Sequence, residues 1–186
     1  PQVHDRDECS EALRRLAGGL GMEKIEFVEE AAPPTRIKVV GVGGGGSNAV
    51  DSMIDLGLHG VDFCNINTDL QALSLSKCPN KIHIGQLETG GMGCGGDPAV
   101  GEKAAINAKE QIAEILQGCD MVFIAAGLGG GTGTGAAPVV AEIAKGMGLL
   151  TVAIVTKPFS FEGPQRLRRA DQGLAKLSDC VDTKIV

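Results

Sequence analysis

The chain has 186 residues, 43% of them apolar, and a formal net charge of −6. That length carries one domain with a sizeable core. With no lysine or arginine cluster to track a phosphate backbone, no apolar run near the roughly 18 residues of a membrane span, and neither Trp nor Tyr, nucleic-acid binding and direct membrane insertion are not expected.

In chain order, the polar start His4 to Glu8 is unlike a secretory signal. Residues 5–16 have the makings of a short helix, with Leu13 and Leu16 on one face, and "EEAAPPT" at 29–35 reads as a linker because a Pro-Pro pair blocks regular structure. Residues 1–35 are therefore expected to be a variable, poorly ordered extension, and 36–186 the folded domain. The chain starts with Pro1 and ends in "VDTKIV", which reads as a strand cut short. Both ends are expected to be incomplete, with Met22 a candidate natural start.

Ile37, Val39, Val40 and Val42 form a β-rich run ending in glycine. "SNAVDSMIDLGL" then puts Val50, Met53, Ile54 and Leu58 on one helical face. "VDFCNINTD" is a second strand, "ALSLSKC" a helical turn and "KIHIG" a short strand. The glycine-rich "TGGMGCGGDP" precedes a helix over 99–118, in which Ala105, Ala108, Ile112 and Ile115 recur at steps of three and four. "DMVFIAA" is a buried strand, followed by "GLGGGTGTG" at 127–135. Pro138 suits the first turn of the next helix, which Gly148 ends. "LLTVAIVTKP" is a strand, "GPQRLRRADQGLAKLSD" an amphipathic helix, and "TKIV" opens a last strand. Apolar strands alternating with helices define an α/β fold: a doubly wound, mostly parallel sheet with helices on both faces.

Six cysteines occur, none in a C-x-x-C pair and none at ligand spacing from a histidine. Reduced thiols in a cytoplasmic protein are expected, and no metal site.

The glycines carry the functional signal. Each loses more backbone freedom on folding than any other residue, roughly 0.5–1 kcal/mol relative to alanine. Six in nine residues, flanked by a strand and a helix, imply that the backbone approaches something closely. Free N–H groups and the positive end of the helix dipole make such a junction an anion site. Three glycine loops, 41–46, 90–96 and 127–135, follow strands and are expected to converge at one sheet edge around a polyanion. "GVGGGG" formally matches G-x-G-x-x-G, with Asp62 and Asp69 about 20 residues on. A dinucleotide-binding oxidoreductase therefore stays open as an alternative. The G-x-x-x-x-G-K-[ST] loop of other nucleotide-binding folds is absent.

"GGGTGTG" resembles the signature of the tubulin and FtsZ superfamily of GTPases. The likeness runs from about Arg36 to Val186, through "VGVGGGGSNAV", "NTDLQAL", "PAVGEKAA", "TVAIVTKPFSFEG" and "VDTKIV", in family order and spacing. "NTD-QAL" and "TKPF-FEG" are of the bacterial, FtsZ type.

The resemblance implies GTP or GDP as ligand, with Mg2+ carried on the nucleotide. It places Gly44, Gly45, Gly46, Ser47 and Asn48 on the phosphates and nucleoside. Gly130, Gly131, Thr132, Gly133 and Thr134 would wrap the α- and β-phosphates, and Gly93 to Asp97 and Asn67 to Ala72 would lie near the γ-phosphate. Glu162 would accept from the ribose hydroxyls and Arg166 contact the nucleotide. Glu162 also reads as a helix cap, Arg166 as a solvated helix residue like Arg168 and Arg169, Asp62 as a surface residue and Cys94 as space-filling. Asp97 stands where relatives commonly have Asn and is expected to cap the next helix. "FEGPQR" is less basic than its counterparts.

The resemblance further implies head-to-tail self-association into filaments, other division proteins as partners, and a place at the mid-cell division site. A non-division, plasmid-partition relative is the cytoskeletal alternative. Hydrolysis would need acidic residues from the next subunit, expected beyond Val186, so no catalytic residue is assigned. The chain by itself is expected to bind GTP weakly and turn it over hardly at all.

Overall fold

The computed structural model describes residues 35–186. The helix expected at 5–16 and most of the 29–35 linker lie outside the described residues. Six strands form one parallel sheet: β1 (Ile37–Val42), β2 (Asp62–Asn67), β3 (Asn80–His83), β4 (Met121–Gly127), β5 (Leu150–Thr156) and β6 (Thr183–Ile185). Their order is β3-β2-β1-β4-β5-β6, with β1 in the middle: Val40 pairs with Cys64 on one side and Ile124 on the other. The chain winds outward from β1 to β3, crosses to β4, and winds outward again. The order reverses between β1 and β4, so loops leaving their carboxyl ends diverge to opposite faces and leave a crevice.

Successive residues of a strand face opposite sides. Val39 and Phe63 pack against Val50, Met53 and Ile54 of α1 (Gly43–Asp55). Val40, Val42, Ile66, Val122 and Ile124 face the other way, onto α4 (Pro98–Asn107), α5 (Lys109–Leu116), α6 (Thr132–Gly146) and α7 (Pro164–Cys180). This second layer holds most of the fully buried side chains, each contributing about 1.5–3 kcal/mol on burial. Two short helices, α2 (Leu70–Leu75) and α3 (Gln86–Thr89), flank β3.

Burial pushes the Cys64 thiol up to about 12 and also raises Cys78 and Cys180. The five described cysteines are free thiols.

Three local expectations are corrected. The first helix begins at Gly43, inside the glycine run, and ends at Asp55, so Leu58 lies outside it and is half exposed. Gly57, at φ +70°, turns the chain away. The helix expected over 99–118 is two segments broken at Ala108, whose ψ of 14° leaves helical geometry. Pro138 does not start its helix. The Thr-Gly residues before it are already helical from Thr132, and Pro138 sits in the interior, where it offers no N–H to the Thr134 carbonyl. In both glycine cases, residues counted as loop form the first turn of a helix.

Candidate nucleotide-phosphate site

The carboxyl ends of β1 and β4 feed directly into α1 and α6. Neither helix has a side-chain cap: Val42 and Gly131 occupy the cap positions without a capping hydrogen bond. The neighbouring helices α2 and α4 are capped, by Asp69 on the Ala72 N–H (3.0 Å) and Asp97 on the Ala99 N–H (2.9 Å). The first N–H groups of α1 and α6 thus lack protein side-chain acceptors at the crevice, and their dipoles add positive potential there.

The three glycine loops meet at this edge. A Cβ on Gly43 would lie 2.8 Å from the Gly133 nitrogen, one on Gly45 3.0 Å from the Gly127 Cα, and one on Gly131 2.5 Å from the Cys94 Cβ and 3.1 Å from the Asp97 nitrogen. Bare backbone is therefore what allows the first, signature and middle loops to touch. Hydroxyls tie in a fourth segment: Thr68, after β2, lies 2.7 Å from the Thr132 Oγ1, and Cys94 Sγ is 3.2 Å from the Thr68 Oγ1.

Above the loops opens a cleft of about 760 Å³, floored by Gly44, Gly45, Gly130, Gly131, Thr132 and Gly133 and walled by Lys157, Pro158, Phe159, Glu162 and Arg166. Eight of the twelve sequence-predicted site residues thus face one cleft. The other four do not line it. Gly46 is buried, where a Cβ would overlap the Ala125 carbonyl oxygen. Ser47 is buried, and its Oγ has no hydrogen-bond partner. Asn48 is exposed on the outer side of α1's first turns. Thr134 is buried and accepts from the Gly129 N–H at 2.8 Å, bracing the signature loop.

Glu162 and Arg166 form an ion pair one helical turn apart, and the Glu162 Oε1 accepts from the Phe159 N–H at 2.8 Å. Glu162 therefore caps the 3-10 turn Ser160–Glu162 rather than α7. Asp97 caps α4, as expected, and Asp62 is exposed at the start of β2. Arg169, read from the sequence as solvated, is half-buried: its Nη1 lies 3.5 Å from where a Cβ on Gly96 would be. Sequence reasoning missed Lys157 and Phe159. Their signal was position, just past the carboxyl end of a strand adjoining the crevice.

An open parallel sheet with two uncapped helix N-termini at its switch point defines a nucleotide-binding α/β domain. The chain belongs to the tubulin/FtsZ family: the family's GTPase-domain model matches residues 36–186. It is 57% identical over 159 residues to "Cell division protein FtsZ" of Aquifex aeolicus, covering 86% of this chain and 43% of that protein. An empty FtsZ dimer from M. jannaschii superposes at TM-score 0.79 with 45% identity, covering 95% of this chain and 48% of that one. CetZ2 from Haloferax volcanii, a GTPγS-bound protofilament, superposes at 0.74 with 25% identity, covering 81% and 48%. The chain thus spans about half the length of these relatives. The family match favours the GTPase reading over the dinucleotide oxidoreductase, and the high identity to a division protein favours it over the partition relative.

Proposed function

We propose that this domain holds the phosphates of GTP or GDP at the β1/β4 crevice, as the nucleotide-binding part of a filament-forming GTPase of bacterial cell division. The observation that carries this is the meeting of three glycine loops beside two uncapped helix N-termini. Backbone N–H groups of Gly44, Gly45 and 130–133 bind phosphate oxygens. Glu162, held by Arg166 and the Phe159 N–H, is preoriented to accept from ribose hydroxyls. Gly46, Ser47 and Thr134 support the loops from beneath, while the role of Asn48 towards the nucleoside rests on the family resemblance alone. Mg2+ comes as the nucleotide's counter-ion, held by phosphate oxygens and water. The described residues contain no group of three or more His, Cys, Asp or Glu able to hold a metal ion.

Hydrolysis is completed across a subunit interface. The cleft's one carboxylate among the described residues, Glu162, is already committed to two hydrogen bonds, which is consistent with a water-positioning group supplied from outside this domain by a second copy. The rim supports a protein lid. Phe159 and Phe161 stack at 5.2 Å and are exposed, and Met92 and Leu70, at the same sheet edge, are exposed too. The exposed, stacked aromatic pair at the cleft wall fits a subunit that covers the nucleotide. With that function the protein would act in the cytoplasm, at mid-cell with other division proteins.

Titration with labelled GTP and GDP, competed with ATP and NADH, tests the reading. Guanine nucleotides should displace the label and the other two should not. Displacement by NADH, or no binding of either guanine nucleotide, overturns it.

A further inference from the structure

On α7 the basic side chains are not equivalent. Arg166 pairs with Glu162, Lys176 with Glu102 at 2.8 Å, and Asp171 with Lys157 at 2.6 Å. Arg169 makes no hydrogen bond or ion pair with any described residue, yet it is half-buried and leans on the middle glycine loop at Gly96. A guanidinium has five donors and stays charged, so one standing beside a bare loop with no partner among the described residues is available to an anion there.

Its place shows where that anion would lie. The start of α6 is wedged between α4 and α7: a Cβ on Gly135 would overlap the Pro98 carbonyl oxygen, and one on Gly173 would overlap the Thr134 methyl. Arg169 lies one turn before Gly173, towards the loop edge. There it spans from α7 to Gly96, whose neighbours Cys94 and Asp97 abut Gly131. Beside this span, Gly130 has nothing within 4 Å of its Cβ position. The middle loop also brings the exposed Asp97 carboxylate, which repels phosphate.

Resting on the proposed function, we infer that Arg169 is a specificity-determining residue: its guanidinium takes the terminal phosphate of a nucleoside triphosphate where that phosphate meets the middle loop, and offsets Asp97. It therefore favours triphosphate over diphosphate. Arg166, by contrast, is shared with Glu162 on the cleft wall and serves both nucleotides.

The test is equilibrium binding of GDP and of a slowly hydrolysed GTP analogue to the wild-type chain and to Arg169→Gln and Arg169→Lys, with melting of each unliganded protein. Loss of one charge-assisted contact should weaken the triphosphate analogue about tenfold or more. GDP affinity and the unliganded melting temperature should be unchanged, and Arg169→Lys should recover part of the loss. Equal losses for both nucleotides, or a lowered melting temperature with both losses, would mean that Arg169 only braces the loop. No change with either nucleotide also overturns the inference, while GTP binding by the wild type keeps the proposed function standing. If the wild type binds neither nucleotide, both fall together.

Discussion

The signature loop and the middle loop have nearly the same composition and use glycine for opposite reasons. Between Gly127 and Gly135, one of six glycines, Gly129, has positive φ. Three of the others are crowded: a Cβ would overlap the Gly127 oxygen from Gly133 and the Pro98 oxygen from Gly135, and would come 2.5 Å from the Cys94 Cβ from Gly131. Between Gly90 and Gly96 all five glycines have positive φ, from 57° to 84°, and Gly90 and Gly95 face open space. One loop needs missing side chains so that backbones can touch. The other needs a left-handed backbone. Glycine content alone does not tell a contact surface from a winding turn.

The largest break should come at Gly135→Ala. The added methyl meets backbone on α4, the Pro98 oxygen and the Glu102 nitrogen at 2.7 Å, and neither can swing away. Overpacking of this kind costs about 1–3 kcal/mol and occasionally more; a helix pair this close belongs at the upper end. Urea unfolding should show a midpoint shift of that size or no folded protein. A midpoint within error of wild type would mean that α4 and α6 are free to part, and the close-approach account fails.

Gly130→Ala separates folding from binding in the same loop. Its Cβ would meet nothing within 4 Å and its φ is not positive, so stability should hold or rise by about 0.4–1 kcal/mol through the unfolded chain. The methyl would project into the cleft, where a phosphate approaches backbone, and guanine-nucleotide affinity should fall about tenfold, equivalent to about 1.4 kcal/mol. Unchanged affinity would place the phosphates elsewhere.

The same contrast explains how far the sequence could be read. The strands were legible because residues such as Val40, Ile66 and Ile124 are apolar on a sheet covered on both faces, and that pattern is local. The helix starts were not. Gly43 to Gly46 and Thr132 to Gly135 have weak helical propensity, and they are helical because the sheet edge packs them against each other, which is tertiary information. Pro138 misled for the same reason: a residue favoured in a first turn was tolerated further in. Of the site, the glycine loops were legible from their place between strands and helices, whereas Glu162 and Arg166 were singled out only by the family resemblance. The inward turn of Thr134 towards the Gly129 N–H and the half-burial of Arg169 were not legible, because side-chain direction depends on neighbours distant in sequence.

The middle loop gives the smallest and most discriminating test. At Gly95, φ is 57° and no atom lies within 4 Å of the Cβ position, so Gly95→Ala should be opposed only by the left-handed backbone, about 1–2 kcal/mol. Asn is bulkier than Ala but visits that region more readily, because its short polar side chain bonds locally. Gly95→Asn should therefore be less destabilising than Gly95→Ala, the reverse of the size order. At Gly131, where space is the constraint, the size order should hold and Asn should be worse than Ala. Parallel urea titrations of the four variants compare the loops directly. If Asn is worse than Ala at both positions, crowding governs both loops and the distinction between them is lost; if Asn is better only at Gly95, the middle loop is set by its winding alone, which leaves its outer surface free to meet a phosphate.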